Sequence, residues 1–427
     1  MIGVVMEAVR PRCGFADSLV QSDETVTVIS GEAREEISRV ATHQVHLRVE
    51  NHGRLGLAVR DDTLVEPLIQ SALQSAQYGA ESTLLAPAPS PLPNVVTAFP
   101  ATAAMGPPDL INLARQLRDR LTVTGREVET WAERSSGRVE VANTHGVMAG
   151  YDVTLAGLGL RVRAAPSAGP VMLRLHTAGA AVPSEVLLAD LVDEVDQRLA
   201  PPLLDQGPSD QPVRVWLEPR AVGALLTPVG QALLARHVWS DAGPLAGRID
   251  EPVLSPELTL VDDPLAEGRP GSRPVDDEGV VCRRQVFIRR GVLRAALADL
   301  ASATRYGVPA SGHGRRSPGA PPWTGWSNLV LEPGKTSTAA IPGELGDGVL
   351  IRELPWPGGN CHDGRIALTT PWAYRVERGE ITGRYERVML QGNVFEWLNR
   401  VVLVGANARW IGSRCLPDVI VEGVELF

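Results

Sequence analysis

Three short stretches concentrate side chains capable of chemistry. Gly312-His313-Gly314-Arg315-Arg316-Ser317 sets an imidazole and two guanidiniums among glycines. Guanidinium forks match carboxylates and other anions bidentately, and glycines let the backbone approach a ligand closely. His313, Arg315 and Arg316 are therefore candidate anion-binding residues; the plainer alternative is a mobile surface loop. Gly358-Gly359-Asn360-Cys361-His362-Asp363-Gly364 puts a thiol, an imidazole and a carboxylate in one turn. A thiolate–imidazolium pair usually joins separate segments, so adjacent Cys361 and His362 are poorly placed to form one. Asn360, Cys361 and His362 are instead candidate substrate contacts in a Gly/Asn turn beside a groove. Asp276-Asp277-Glu278-Gly279 offers paired carboxylates for acid–base work, or an acidic turn in which Gly279 takes a positive φ.

Metal-binding patterns are missing. Eight histidines occur, and none begins an HExxH or HExxxH sequence. His43 and His46 lie in a strand-like stretch, where a spacing of three puts them on opposite faces. Four cysteines stand far apart with no CxxC; Cys415 alone, near the C-terminal end, could donate a thiolate to a metal. A single free cysteine is more often a small buried hydrophobe. No P-loop, dinucleotide-binding glycine pattern or G-x-S-x-G is present. Lys335 is the one lysine among 41 basic residues, beside Pro333-Gly334, so a lysine base or Schiff base is not expected.

A chain of 427 residues with 44% hydrophobic and 21% charged residues is long enough for two domains with cores of their own. The formal charge of −9 gives no electrostatic footprint for nucleic acid. No run approaches the length of a membrane helix. The start, Met1-Ile2-Gly3-Val4-Val5-Met6-Glu7, carries no basic segment and no long apolar stretch. A cytoplasmic protein with free thiols is expected.

The elements that must position these residues can be read from spacing. Val4–Arg10, Leu64–Tyr78, Leu110–Leu121, Pro183–Leu199, Ala221–His237 and Asn393–Leu398 read as helices. Pro107-Pro108-Asp109 starts the third of them. Glu24–Ser30 alternates as a strand, and His46–Val49 and Leu55–Val59 form a hairpin around Asn51-His52-Gly53. Glu127–Glu133 and Arg138–Asn143 read as two strands joined through Ser135-Ser136-Gly137. Pro201-Pro202 and Gly207-Pro208 place a boundary near residue 208. The expected fold is α+β: an N-terminal α/β domain (1–208), then a C-terminal antiparallel, barrel-like β domain (209–427).

Several segments in order resemble the TldD/PmbA family, once called modulators of DNA gyrase. They include Arg138-Val139-Glu140-Val141-Ala142-Asn143-Thr144-His145-Gly146, Asp262-Asp263-Pro264 and Ser272-Arg273-Pro274-Val275-Asp276-Asp277-Glu278-Gly279. Gly312-His313-Gly314-Arg315-Arg316, Ser327-Asn328-Leu329 and Val404-Gly405-Ala406-Asn407 continue the series. The resemblance implies an α/β domain followed by an antiparallel sheet domain, and a heterodimer that cleaves peptides. One kind of subunit, TldD, carries HExxxH on the helix after the first C-domain strand, plus a zinc-binding Cys near the C-terminus. The other, TldE or PmbA, lacks the zinc motif. Here the motif helix is Ala224-Leu225-Leu226-Thr227-Pro228-Val229-Gly230-Gln231-Ala232. Thr227 and Pro228 replace His and Glu, and Gln231 or Ala232 replaces the second His. Thr and Gln are poor zinc ligands and Pro cannot be a base.

The resemblance thus implies a TldE-like subunit with no catalytic or metal-binding residue of its own. A TldD-like HExxxH partner would supply zinc, and the substrate would be a peptide or peptide-like amide, with no nucleic acid and no membrane. Two alternatives remain at this stage: a stand-alone hydrolase built on Cys361-His362-Asp363, and a pure binding or assembly protein.

Overall fold

In the computed structural model, the described residues are all of 1–427 except 33, 82, 83, 85, 165–170, 210, 241 and 242. Alternating apolar and polar residues build a first sheet from β1 (Phe15–Ser30), β2 (Glu35–Asn51), β3 (Arg54–Arg60), β4 (Arg126–Asn143), β5 (Met148–Ala164) and β6 (Val171–Gly179). Its order is β3-β2-β1-β4-β5-β6, antiparallel throughout. The β2–β3 hairpin turns as expected at His52 (φ 49°) and Gly53 (φ 75°). The two strands expected at 127–143 are one, β4. Gly137 lets it run on: an added Cβ would stand 2.3 Å from the Ser22 carbonyl oxygen of β1.

Helices α1 (Ile2–Val9) and α2 (Val65–Ala76) cover one end of this sheet. The short helix α3 (Pro100–Ala103) precedes α4 (Pro107–Leu121), whose Asp109 carboxylate accepts from the Gly106 N–H at 2.8 Å. Helix α5 (Glu185–Leu199) begins at Ser184, whose hydroxyl accepts from the Leu187 N–H. Apolar residues of α4 and α5 (Leu110, Leu117, Leu188, Leu191) meet Trp216, Leu350, Tyr374 and Ile420 from the second half in one core.

The second half holds β7 (Val213–Leu217), β8 (Leu260–Asp262), β9 (Gln285–Arg289), β10 (Val292–Leu293), β11 (Gly314–Arg315), β12 (Trp323–Thr324), β13 (Leu329–Leu331) and β14 (Gly348–Ile351). It continues with β15 (Arg365–Thr370), β16 (Ala373–Glu377), β17 (Glu380–Arg384), β18 (Val388–Asn393), β19 (Val401–Val404), β20 (Arg409–Ile411), β21 (Arg414–Leu416) and β22 (Val419–Val424). Two six-stranded sheets result, ordered β17-β16-β14-β7-β22-β19 and β10-β9-β8-β13-β21-β20. Both are mainly antiparallel; β7–β14 and β13–β21 are parallel pairs.

Helix α6 (Pro219–Ala232) follows β7 and lies in the core that both sheets share. All of its residues are buried except Arg220, Thr227 and Gln231. The helix expected to reach His237 stops at Ala232. There the chain turns to bond with Leu297 (Leu297 N–H to Leu233 O, 2.8 Å; Ala235 N–H to Leu297 O, 2.8 Å) before a last short turn, α7 (Ala235–Val238). Among the described residues no helix is long and apolar enough to cross a membrane.

Candidate functional site

Register sets the first element of the site. Asp17 on β1 pairs across from Arg48 on β2, and both side chains are buried. The Arg48 Nε lies 3.2 Å from each Asp17 oxygen, and its Nη1 donates to Glu278 Oε1 at 2.7 Å. Arg316 adds a second ion pair to Asp17. The other Glu278 oxygen accepts from the Leu300 N–H at 2.8 Å, where helix α8 (Leu300–Tyr306) begins. A Cβ at position 314 would fall 2.5 Å from that oxygen, so Gly314 is required here. The acidic turn 276–279 is therefore structural. Asp276 accepts from the Glu278, Val280 and Gly314 N–H groups, and Gly279 takes φ +87° as expected.

These carboxyls respond differently to burial. Burial and the neighbouring Glu278 push Asp276 up to about 7; burial also raises Glu278, against the pull of Arg48. Burial alone would raise Asp17 too, but Arg316 and Arg48 overcome it and hold that carboxyl below its usual range. A carboxyl raised on folding contributes fully below its unfolded pKa of 3.8 and loses that contribution as pH climbs to about 7. Asp17 acts oppositely, its contribution disappearing as pH falls below the ordinary carboxylate range. Burial holds His46 and His237 down at about 4, and their contribution is lost as pH falls below the ordinary histidine range, opposite to Asp276. The Asp276 effect is therefore read as a difference: relative to wild type, Asp276→Asn is expected to lower the denaturation midpoint less at pH 8 than at pH 5. A midpoint loss on Asp276→Asn that is the same at both pH values, or larger at pH 8, would contradict this.

The glycine-rich loop is not a mobile surface segment. His313 is buried, its Nε2 2.9 Å from Asp262 Oδ2 and its Nδ1 2.9 Å from Ser311 Oγ. Both ring nitrogens are occupied, so His313 is corrected from ligand contact to support of the loop. Arg316 is also tied, through Asp17 and through its own N–H, which donates to Asp277 Oδ2 at 2.9 Å. Arg315 points elsewhere: its Nη2 donates to the Trp326 carbonyl at 2.6 Å, and among the described residues no carboxylate pairs with it. Arg315 and Arg316 line a cavity of about 440 Å³ between the two halves, with Arg273, Tyr151, Gln21 and Trp323.

Asn360, Cys361 and His362 lie on the other side of the α6 C-terminal turn. Gln231 accepts from the Cys361 N–H at 2.8 Å and donates to the Gly359 carbonyl at 3.0 Å. Trp326 packs on the neighbouring Gly230, where an added Cβ would lie 2.6 Å from the indole Nε1. The Cys361 loop thus bonds the last turn of α6 directly, whereas Arg315 is linked to that turn only through Trp326. His362 stacks on His237 at 4.1 Å and takes Asn360 Oδ1 on its Nδ1 at 2.7 Å. Burial and Asp363 raise the Cys361 thiol, and no histidine bonds it among the described residues, so a Cys–His nucleophile does not form.

Helix α6 contains no His, Cys, Asp or Glu. The Thr227 hydroxyl donates back to the Gly223 carbonyl at 3.3 Å, and both ends of the Gln231 amide are taken. Arg414 of β21 reaches the Gly223 carbonyl at 2.7 Å, so its neighbour Cys415 faces away from the helix. These residues do not fit a zinc ion at α6.

The family models for the PmbA/TldA metallopeptidase C-terminal domain and central domain match residues 210–426 and 101–197. A metalloprotease of Methanothermobacter thermautotrophicus is 31% identical over 183 residues, 42% of this chain and 40% of the relative. A metalloprotease TldD homolog of Haemophilus influenzae is 31% identical over 185 residues, 41% of this chain and 37% of the relative. The chain thus spans about two fifths of the length of these curated relatives. The crystal structure of TldE from Thermococcus kodakarensis superimposes with a TM-score of 0.89 at 20% identity, covering 100% of this chain and 99% of that one. At that identity the likeness speaks for the fold.

Fold and matched domains define the class: a protein of metallopeptidase descent, with an antiparallel N-terminal sheet and a two-sheet C-terminal half around one buried helix. The chain belongs to the PmbA/TldD metallopeptidase family.

The sequence reading missed Asp17, Arg48, Arg273 and Tyr151. Arg48 looks like an outward residue in an alternating strand, and its partner Glu278 is 230 positions away. The available signal was an arginine and an aspartate inside otherwise apolar strand stretches, where a buried charge needs a partner.

Proposed function

We propose that this chain is a TldE-like, non-zinc subunit of a TldD/TldE-type heteromeric metallopeptidase. The assembly hydrolyses amide bonds in a peptide or peptide-like substrate, natural products included. A TldD-like subunit with HExxxH supplies the zinc, which acts as a Lewis acid when bound. This chain contributes walls of the groove and strand edges that hold an extended substrate by backbone pairing.

One observation carries the reading. The helix that bears the metal motif elsewhere in the family is buried here, closed by Gln231, Trp326 and Arg414, and offers no ligand side chain. The fold shared with TldE from Thermococcus kodakarensis supports this reading. No bond-breaking step runs through this chain's own residues in this reading. Its cytoplasmic location belongs to the same proposal.

Assembly is the test. Mixed with a TldD-like subunit, the chain is expected to elute as a heteromer ahead of either protein alone. Two separate peaks at micromolar concentrations would overturn the subunit role. The proposal also predicts that a chelator leaves the melting temperature of the isolated chain unchanged, because a metal bound only to the folded state would raise it.

A further inference from the structure

The cavity between the halves has a chemistry that the subunit role does not itself require. Its C-terminal wall carries three guanidiniums. Arg315 has no carboxylate partner among the described residues. Arg316 spends Nη2 on Asp17, and its Nε is buried without a hydrogen-bond partner. Arg273 gives Nη1 to Asp277 at 3.2 Å, and its Nε is likewise buried and unpartnered. Three guanidiniums against one lining carboxylate, Asp277, leave this wall with excess positive charge, which an incoming anion offsets.

The opposite wall comes from the first sheet. Tyr151 of β5 and Gln21 of β1 face the arginines. The Tyr151 hydroxyl takes part in no hydrogen bond among the described residues and is free to donate. Trp323, 47% exposed, pairs with Arg315 across the β11–β12 hairpin and forms an apolar lip. Forked cations with a phenolic donor suit a flat, two-oxygen anion, and the indole beside them suits a neighbouring apolar side chain.

We infer that this cavity binds a carboxylate of the peptide substrate, held by Arg315, Arg273 and Tyr151 with an apolar residue against Trp323. The inference rests on the peptide reading above. Through the Arg315–Trp326 bond and the packing of Trp326 on Gly230, the bound carboxylate would be anchored to the turn at the end of α6. One end of an extended peptide is then fixed by this chain, which sets the register of the amide presented to the partner.

The test uses the full chain, alone and again with its partner, and calorimetric titration with three probes. These are an N-acetylated apolar tripeptide with a free C-terminal carboxylate, its C-terminal amide, and an amidated peptide of equal length with one internal glutamate. The acid is expected to bind ~10-fold or more tightly than the amide. Arg315→Gln should remove that preference while the amide still binds the folded variant, and Tyr151→Phe should reduce it several-fold. Binding of the glutamate peptide like the acid would mean that any peptide carboxylate serves; binding like the amide would mean that the C-terminus is read. Equal affinities for all three probes, or an acid preference that survives Arg315→Gln, would overturn the proposal. Because the isolated chain is titrated, these results are independent of whether a heteromer forms.

Discussion

Peptide hydrolysis by this chain plus a TldD-like HExxxH subunit is expected to exceed the rate of this chain alone by at least ~10²-fold, the smallest loss usually tied to one missing catalytic group. The physical reason is local. Amide hydrolysis at neutral pH needs an activated nucleophile and an electrophile that polarises the carbonyl. On α6 the corresponding positions are a threonine bonded to its own helix, a proline and a glutamine with both amide ends engaged. The one thiol near a histidine in sequence, Cys361, is buried and raised. Thr227→Ala in this chain should therefore leave the rate of the complex within about two-fold, since it removes one side-chain hydrogen bond to a helix carbonyl. A comparable steady-state rate from this chain alone, followed by release of a fluorogenic peptide, would count against the account. So would a ten-fold drop on Thr227→Ala.

Arg48→Met is expected to be the most damaging single change to stability, at about 3–5 kcal/mol. It leaves Asp17 and Glu278 buried with one cation fewer, and it removes the bond that ties the first sheet to the 276–279 turn. Glu278 can take up a proton, because its carboxyl is already raised. Glu278→Gln on the Arg48→Met background should accordingly recover part of the loss, giving a coupling energy of ~1–3 kcal/mol in a double-mutant cycle. Urea denaturation of the four proteins measures it. A loss below 1 kcal/mol for Arg48→Met, or strict additivity, would mean that the cluster does not hold the halves together.

What the sequence revealed and what it hid divide along physical lines. Local signals served well. The Asn51-His52-Gly53 turn, the Pro107-Pro108-Asp109 start of α4 and the position of the motif helix after β7 depend on near neighbours, and all were readable. The family resemblance came from ordered short motifs and is confirmed by the matched domains. Long-range balance was not readable. Gly137 looks like a turn residue, yet it sits mid-strand because β1 passes too close for a side chain. His313 looks like a ligand, yet Asp262, 51 positions earlier, claims it. The helix past Ala232 ends on hydrogen bonds with Leu297 that no helical period encodes. The arginine-lined cavity requires Tyr151 and Gln21 from one half and Arg273 and Arg315 from the other, an arrangement fixed by the shared core of α4 and α5.

Metal content offers the most direct test of where the chemistry resides. Elemental analysis after gel filtration in zinc-containing buffer should find zinc in the heteromer at one per TldD-like subunit and none retained by this chain alone. Stoichiometric zinc retained by the isolated chain, and released when Cys415, Cys361 or His362 is replaced, would contradict it.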